Sequence, residues 1–233
     1  MRFWIDEAIF ERFPGMRIAV AVAHGVDNRR DVAEIDGAWH AQWKDAGALT
    51  SQYANAQSHP NVAAWRDNLK RLGVSPRDHP SSIEAMLRRA MKGAPAFSIN
   101  PVVDLLHTIS LRRLVPTGGF DLAAVSDVAL RTTRPGDVFT ALDDDTPVDV
   151  EPGEVAYADG HVVLTRHFVW RQAKAALIGR DTTDVFLVSE VLREVGGGVA
   201  DEVAGALADG MRRHFGVDAR TWVLDAGARA AEW

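Results

Sequence analysis

An α+β fold is predicted for this chain, with helices mostly in the N-terminal half and mixed or antiparallel strands mostly in the C-terminal half. Three features carry that reading. Capped segments of helical period run between Arg29 and Leu114; short Val-rich runs separated by Gly, Pro and Asp follow from Val125; and Asp159-Gly160 sits between two of those runs as a hairpin turn. The 233 residues are 47% hydrophobic and 25% charged, a globular composition long enough to bury roughly 70–75% of the unfolded surface. No linker or repeat divides them, so a single domain over residues 1–233 is expected.

Taken in order, residues 16–24 (MRIAVAVAH) follow Pro14-Gly15 and read as a buried strand. Residues 29–56 read as a helix, with Ile35, Trp39 and Trp43 on its core face. A second helix covers residues 62–72 and stops at Gly73. In Pro80-Ser81-Ser82-Ile83-Glu84 a Ser precedes an apolar-periodic stretch with Glu84 close behind, starting a helix that runs to about Met91 and stops at Gly93. Residues 101–114 form a mostly apolar, buried helix with Asp104 and His107 embedded, closed by a tight turn at Pro116-Thr117-Gly118-Gly119. Strands are expected at residues 128–131, 155–158, 162–165 and 185–189. A last helix over 199–215 and a closing strand over 221–224 complete the chain.

Composition removes several chemistries. With no Cys there is no disulfide, thiolate zinc site, iron–sulfur cluster or cysteine nucleophile. Asp6, Glu7, Glu11 and Arg12 interrupt the N-terminal apolar run, so no signal peptide or membrane helix is expected there and the expected compartment is the cytoplasm. A net charge of −6 argues against nonspecific coating of DNA or RNA. Residues 66–134 nevertheless carry 11 Lys and Arg against 6 Asp and Glu. That local excess is either a face for one end of an RNA or a set of solvated helix faces. The eight His residues show no HExxH spacing, and Asp143-Asp144-Asp145 lacks the alternating ligands and Gly of a hard-cation loop, so it reads as a solvated turn. No metal and no cofactor are predicted.

Seven stretches follow one another in a meaningful order: PSSIEAMLRRAMKG (80–93), INPVVDLLHTISL (99–111), PTGGFDL (116–122), LRTTRPGD (130–137), PGEVAYADG (152–160), TRHFVWRQ (165–172) and DTTDVFLV (181–188). With the FPG segment near the start, they resemble stand-alone relatives of the B3/B4 editing domain of the phenylalanyl-tRNA synthetase beta subunit. The resemblance implies a synthetase B3/B4-like fold. It also implies hydrolysis of an amino acid wrongly esterified to the 3′ end of a tRNA, here acting in trans, because the parts of the synthetase that hold the tRNA core have no counterpart. The other readings are a non-catalytic module of the same fold that binds a tRNA end, an amino acid or a protein, and a hydrolase of small amino-acid esters. The expected partner is a tRNA 3′ end carrying an amino acid, with no membrane and no DNA.

An aminoacyl ester is already activated, so its hydrolysis asks for a positioned water, a stabilised oxyanion and a selective pocket rather than a side-chain nucleophile. Asn100, before Pro101, either binds ligand or caps the following helix. Asp104 and His107, three apart on one helical face, are the catalytic candidates; the alternatives are an Asp tying down nearby backbone and a satisfied core His. The resemblance implies further pocket residues. Gly118-Gly119 stands where the synthetase has His-Ala, opening the pocket or offering N–H groups to an oxyanion, unless it is a plain turn. Trp170-Arg171-Gln172 replaces a Gly-rich border; Trp170 either stacks on adenine or fills core, and Arg171 either binds phosphate or carboxylate or sits in an ion pair. The family's acidic residue that recognises a substrate hydroxyl falls near Val188, with Glu190 two residues on and facing the same side of the strand.

Overall fold

The computed structural model describes residues 1–233. In chain order the elements are β1 (Arg2–Ile5), α1 (Glu7–Arg12), β2 (Arg17–Ala23), α2 (Ala33–Ala48), α3 (Pro60–Arg71), α4 (Ser82–Met91), α5 (Pro101–Arg113), β3 (Thr117–Asp121), β4 (Val128–Thr132) and β5 (Val138–Phe139). There follow β6 (Val148–Asp149), β7 (Val155–Asp159), β8 (Val162–Val163), β9 (Thr165–Arg166), β10 (Arg171–Gln172), β11 (Val185–Val191), α6 (Val199–Gly210), β12 (Ala219–Leu224) and β13 (Ala230–Glu232). The architecture is α+β, and no helix is long and apolar enough to cross a membrane.

Two sheets are stacked, and the alternation of side chains along β2 and β11 explains why. In the four-stranded antiparallel sheet β12-β2-β11-β3, Ile18, Val20 and Val22 of β2 and Phe186 and Val188 of β11 point one way, into a core shared with Phe3, Ile5, Leu130 and Tyr157 of the mixed seven-stranded sheet. Ala19, Ala21 and Ala23, with Val185, Leu187 and Val191, point the other way, against Val102, Leu105, Leu106 and Ile109 of α5 and Val203 and Leu207 of α6. Both central strands are therefore apolar on both faces, which is why residues 16–24 read as a continuous hydrophobic run. The seven-stranded sheet has the order β13-β1-β4-β7-β8-β5-β6.

Buried polar pairs fix the connections. The guanidinium of Arg131 donates to both carboxylate oxygens of Asp137 (2.6 and 3.0 Å) and to the carbonyls of Thr132 and Gly160, tying the turn after β4 to the β7–β8 hairpin. That hairpin turns at Gly160, with φ +56°, as the Asp159-Gly160 pair predicts. Glu84, in the first turn of α4 as expected, is buried there and paired with Arg66 of α3 at 2.7 Å.

Two expectations are corrected. The helix expected over residues 29–56 is shorter: α2 ends at Ala48 and short 3-10 turns follow. The terminal strands β1 and β13, paired with each other, carry no internal signal strong enough to read from sequence. Pro116-Thr117-Gly118-Gly119 is not a turn. Leu114 reverses the chain in the left-handed region at φ 52°, and Thr117 already begins β3, with Gly118 opposite Val188 and Gly119 opposite Leu187. The composition is that of a turn, but pairing to β11 overrides it. Asp143-Asp144-Asp145 is the exposed turn expected, and two of its carboxylates also pair with cations, Asp143 with Arg171 and Asp145 with Lys174.

The two glycines of β3 differ sharply in surroundings. A Cβ on Gly119 would lie 2.8 Å from Ile178 Cδ1 and 2.8 Å from the carbonyl oxygen of Phe186, whereas a Cβ on Gly118 meets nothing within 4 Å. Gly119→Ala is expected to cost about 1–3 kcal/mol through overpacking and Gly118→Ala no more than about 0.5 kcal/mol, measured by urea unfolding. Equal losses for the two would contradict this packing.

Candidate functional site

The open space beside Gly118 is one side of a cavity of about 180 Å³ between the edge strand β3, the β9–β10 segment and the N-terminus of α4. Seven of the nine sequence candidates line it: His107, Gly118, Gly119, Trp170, Arg171, Gln172 and Glu190. Asn100 and Asp104 do not. Residues not singled out from the sequence complete the lining, among them Ser82, Thr117, Tyr157, Thr165 and Phe168. A second cavity of about 170 Å³ adjoins the first and shares His107, Thr117, Gly118, Gly119 and Gln172 with it; Ile99, Val103, Leu106, Leu142, Leu177 and Ile178 make its other walls apolar.

The acidic end of the first cavity is a buried pair. Glu190 lies on the face of β11 that looks toward the seven-stranded sheet, and Tyr157 of β7 donates its hydroxyl to Glu190 Oε1 at 2.5 Å. Burial pushes the Glu190 carboxyl up to about 7, against the lowering effect of the Tyr157 hydrogen bond. The same burial and the neighbouring carboxylate raise the Tyr157 phenol well above its ordinary value. Tyr157 was hidden in the sequence because VAYA reads as plain buried strand; the only signal was a hydroxyl on a strand with no solvent face.

His107 projects from α5 at the junction of the two cavities. Its ring packs against Trp39 (centroids 5.4 Å apart) and Phe97 (5.6 Å), and its Nδ1 is buried without a partner. Burial lowers its pKa to about 4, so at neutral pH it is a neutral imidazole, suited to holding a hydrogen bond and poorly suited to removing a proton.

The edge of β3 adds a backbone group. Gln172 Nε2 donates to the Gly119 carbonyl at 2.9 Å, and the Asp121 N–H donates to Ala176 at 3.0 Å, so alternate residues of β3 turn their backbone groups away from β11. By the same alternation the Gly119 N–H points away from β11, as its carbonyl does.

Trp170 is half-buried and stacks on His79 at 4.3 Å, which stacks on His167 at 4.1 Å. His167 and Phe168 both take left-handed backbone (φ 47° and 65°), a strained pair held by Glu154, which accepts from the His167 N–H and from Arg166. Arg171 extends to the rim and is paired with Asp143.

The two remaining candidates are scaffold. Asn100 is buried and bonded through both ends of its amide: Oδ1 accepts from the Val103 N–H as the N-cap of α5 and from Asn28 Nδ2, while its Nδ2 donates to the Ile178 carbonyl. Asp104 accepts from Ser98 Oγ at 2.5 Å and the Ile99 N–H at 3.0 Å, fastening the loop ahead of α5. It lies beside a different surface hollow with Asp31 and Arg180, away from His107's cavity. Nowhere do three His, Asp or Glu side chains converge as metal ligands.

Glu190 makes stability depend on pH. Below its ordinary value of 4.5 the carboxyl is protonated in folded and unfolded chains alike; as pH rises, the unfolded chain ionises first, so stability is lost between 4.5 and about 7. Glu190→Gln keeps an acceptor for Tyr157 and removes the ionisation. It is expected to stabilise the chain by up to roughly 3 kcal/mol near pH 8 and hardly at all near pH 4, read from urea unfolding at both; the same change at both pH values would show that Glu190 is not the group.

Comparison with known proteins follows the same lines. A family model described as the B3/4 domain matches residues 64–196, the span that carries all nine candidates. The crystal structure of an N-terminal fragment of the phenylalanyl-tRNA synthetase beta-subunit from Pyrococcus horikoshii superposes with a TM-score of 0.50 at 11% sequence identity, over 94% of this chain and 50% of that one. That likeness is one of fold, and this chain spans about half the length of the fragment. No curated protein matches it in sequence. With more than half of its residues inside the family match, the chain belongs to the B3/4 domain family.

Proposed function

We propose that this chain is a trans-acting editing hydrolase that removes a wrongly attached amino acid from the 3′ end of a tRNA. One observation carries the reading: in a B3/4 fold, seven candidates drawn from separate motifs meet around one cavity with a buried acid at one end and a missing side chain at Gly118. The two adjoining cavities suit a substrate with two parts joined at an ester, the amino acid on one side and the terminal ribose on the other. The ester then lies at their junction, beside His107, Gln172 and Gly119.

The chemistry that these groups support is water attack on an activated ester. Neutral His107 and Gln172 orient the substrate or the water, and the outward Gly119 N–H stabilises the oxyanion as the carbonyl becomes tetrahedral. The proton lost by the water passes to the departing ribose oxygen, helped by the neighbouring ribose hydroxyl. No side chain forms a covalent link to the amino acid. Glu190 and Tyr157, sharing one short hydrogen bond, present a polar end to the amino-acid side chain. A second reading is a binding module without catalysis; the low pKa of His107, which makes that imidazole a weak base, favours it.

A panel of aminoacyl-tRNAs, matched and mismatched, separates the two. At least one mismatched pair is expected to lose its amino acid many times faster than in buffer, with no labelled amino acid on the protein after acid quench. Gly118→Val, which fills the open space without touching the fold, should abolish that loss at unchanged melting temperature. Tight tRNA binding with no ester loss on any pair would establish the binding module instead.

A further inference from the structure

Two cations stand on the segment that borders the cavity, and both are held by one loop. Arg171 of β10 pairs with Asp143 at 2.5 Å, and Lys174, two residues past β10, pairs with Asp145. The carboxylates are almost fully exposed, at 79% and 91%, while the cations keep 36% and 48%. The same loop brings Leu142, itself 48% exposed, onto the lip of the second cavity. Ile99 and Leu177 form the rest of that lip, so half of the six exposed large apolar side chains of the chain surround one opening.

An acidic loop that neutralises the rim cations of a cavity does what a bound phosphodiester would do: it places oxygen anions against a guanidinium and an ammonium spaced along one segment. Exposed ion pairs of this kind contribute little to stability, so they exchange readily for a competing anion. We propose that Arg171 and Lys174 form the surface on which the backbone phosphates of a single-stranded RNA end dock, and that Asp143 and Asp145 are displaceable stand-ins for those phosphates. When RNA arrives, its phosphates take the two cations, the loop is released, and Leu142 leaves the lip of the second cavity. RNA as the source of the phosphate rests on the function proposed above; the exchange of carboxylate for phosphate rests on the ion pairs alone.

The direct probe is a fluorescent RNA hairpin with a single-stranded 3′ end and no amino acid, titrated by anisotropy at several salt concentrations. Asp143→Asn combined with Asp145→Asn is expected to bind it about tenfold more tightly at low salt. The plot of log affinity against log salt should steepen by about one, because cations no longer taken up by the loop leave all of the phosphate contacts to counterion release. Arg171→Ala combined with Lys174→Ala should weaken binding in both backgrounds, and melting temperatures should be unchanged throughout. Unchanged affinity and salt slope in the Asn variant would overturn the proposal. So would inorganic phosphate displacing the hairpin at concentrations that sulfate does not match, since the cations would then serve a free-phosphate site. Ester loss on aminoacyl-tRNA is scored separately: tighter hairpin binding without ester loss defeats the hydrolase and leaves the exchange standing, and the reverse result defeats the exchange alone.

Discussion

All seven residues of β11 are buried, so this strand has no solvent side. Everything placed on it must be apolar or find a partner inside the protein. Val185, Leu187 and Val191 meet the requirement by packing on α5 and α6, and Phe186 and Val188 by packing on the opposite sheet. Ser189 donates to the Pro116 carbonyl at 2.7 Å. Glu190 is the costly position. It is reconciled with burial by a short hydrogen bond from Tyr157 and by a carboxyl pushed up to about 7, which keeps it partly neutral in ordinary buffers. The acid of the cavity is thus a product of the layer arrangement: the same stacking that makes the sheet a middle layer leaves Glu190 poised near neutrality.

Much of what looks distinctive in the motifs is scaffold that positions this arrangement. Arg131 and Asp137 lock the turn after β4 to the hairpin that carries Tyr157. Asn28 and Asn100 bond to each other and clamp the start of α5 to residues 178–179, which sets the height of His107 over the cavity. Asp104 fixes the loop just before. These are buried, multiply bonded polar groups, the kind whose loss is expensive because a partner is left unsatisfied. A motif therefore marks two sorts of residue alike, those that touch the ligand space and those that hold them there.

The sequence showed the helices of strong period well. The Ser pair expected to open α4 supplies its cap in Ser81, Asn100 takes the cap of its two expected roles, and Asp159-Gly160 makes its hairpin. The gathering of His107, Gly118, Gly119, Trp170, Arg171, Gln172 and Glu190 came from the order of the family motifs, since no local period relates residues so far apart. What stayed illegible depended on tertiary context. Pro116 to Gly119 has turn chemistry, but β3 exists because β11 offers it a partner and because only Gly fits against Phe186 and Ile178. Tyr157 looked apolar until its hydroxyl was seen facing Glu190. Asp104 and His107 share a helical spacing but serve different spaces, because the loop ahead of α5 claims the Asp first.

The cavity's chemistry lies largely in what side chains do not do. Gly118 contributes by lacking a side chain, Gly119 by an N–H turned away from β11 on a sheet edge, and His107 by staying neutral. Such a site suits a reaction whose substrate brings its own activation, because an ester needs geometry and a place for negative charge more than it needs a strong base. Backbone donors have a further advantage beside a buried acid: they hold partial positive charge in place without adding a cation that would ionise Glu190 and draw water into the core. The formal cations, Arg171 and Lys174, are kept at the rim, where exposed carboxylates already neutralise them. Charge is thus graded from a nearly neutral interior to a paired, solvent-exposed edge.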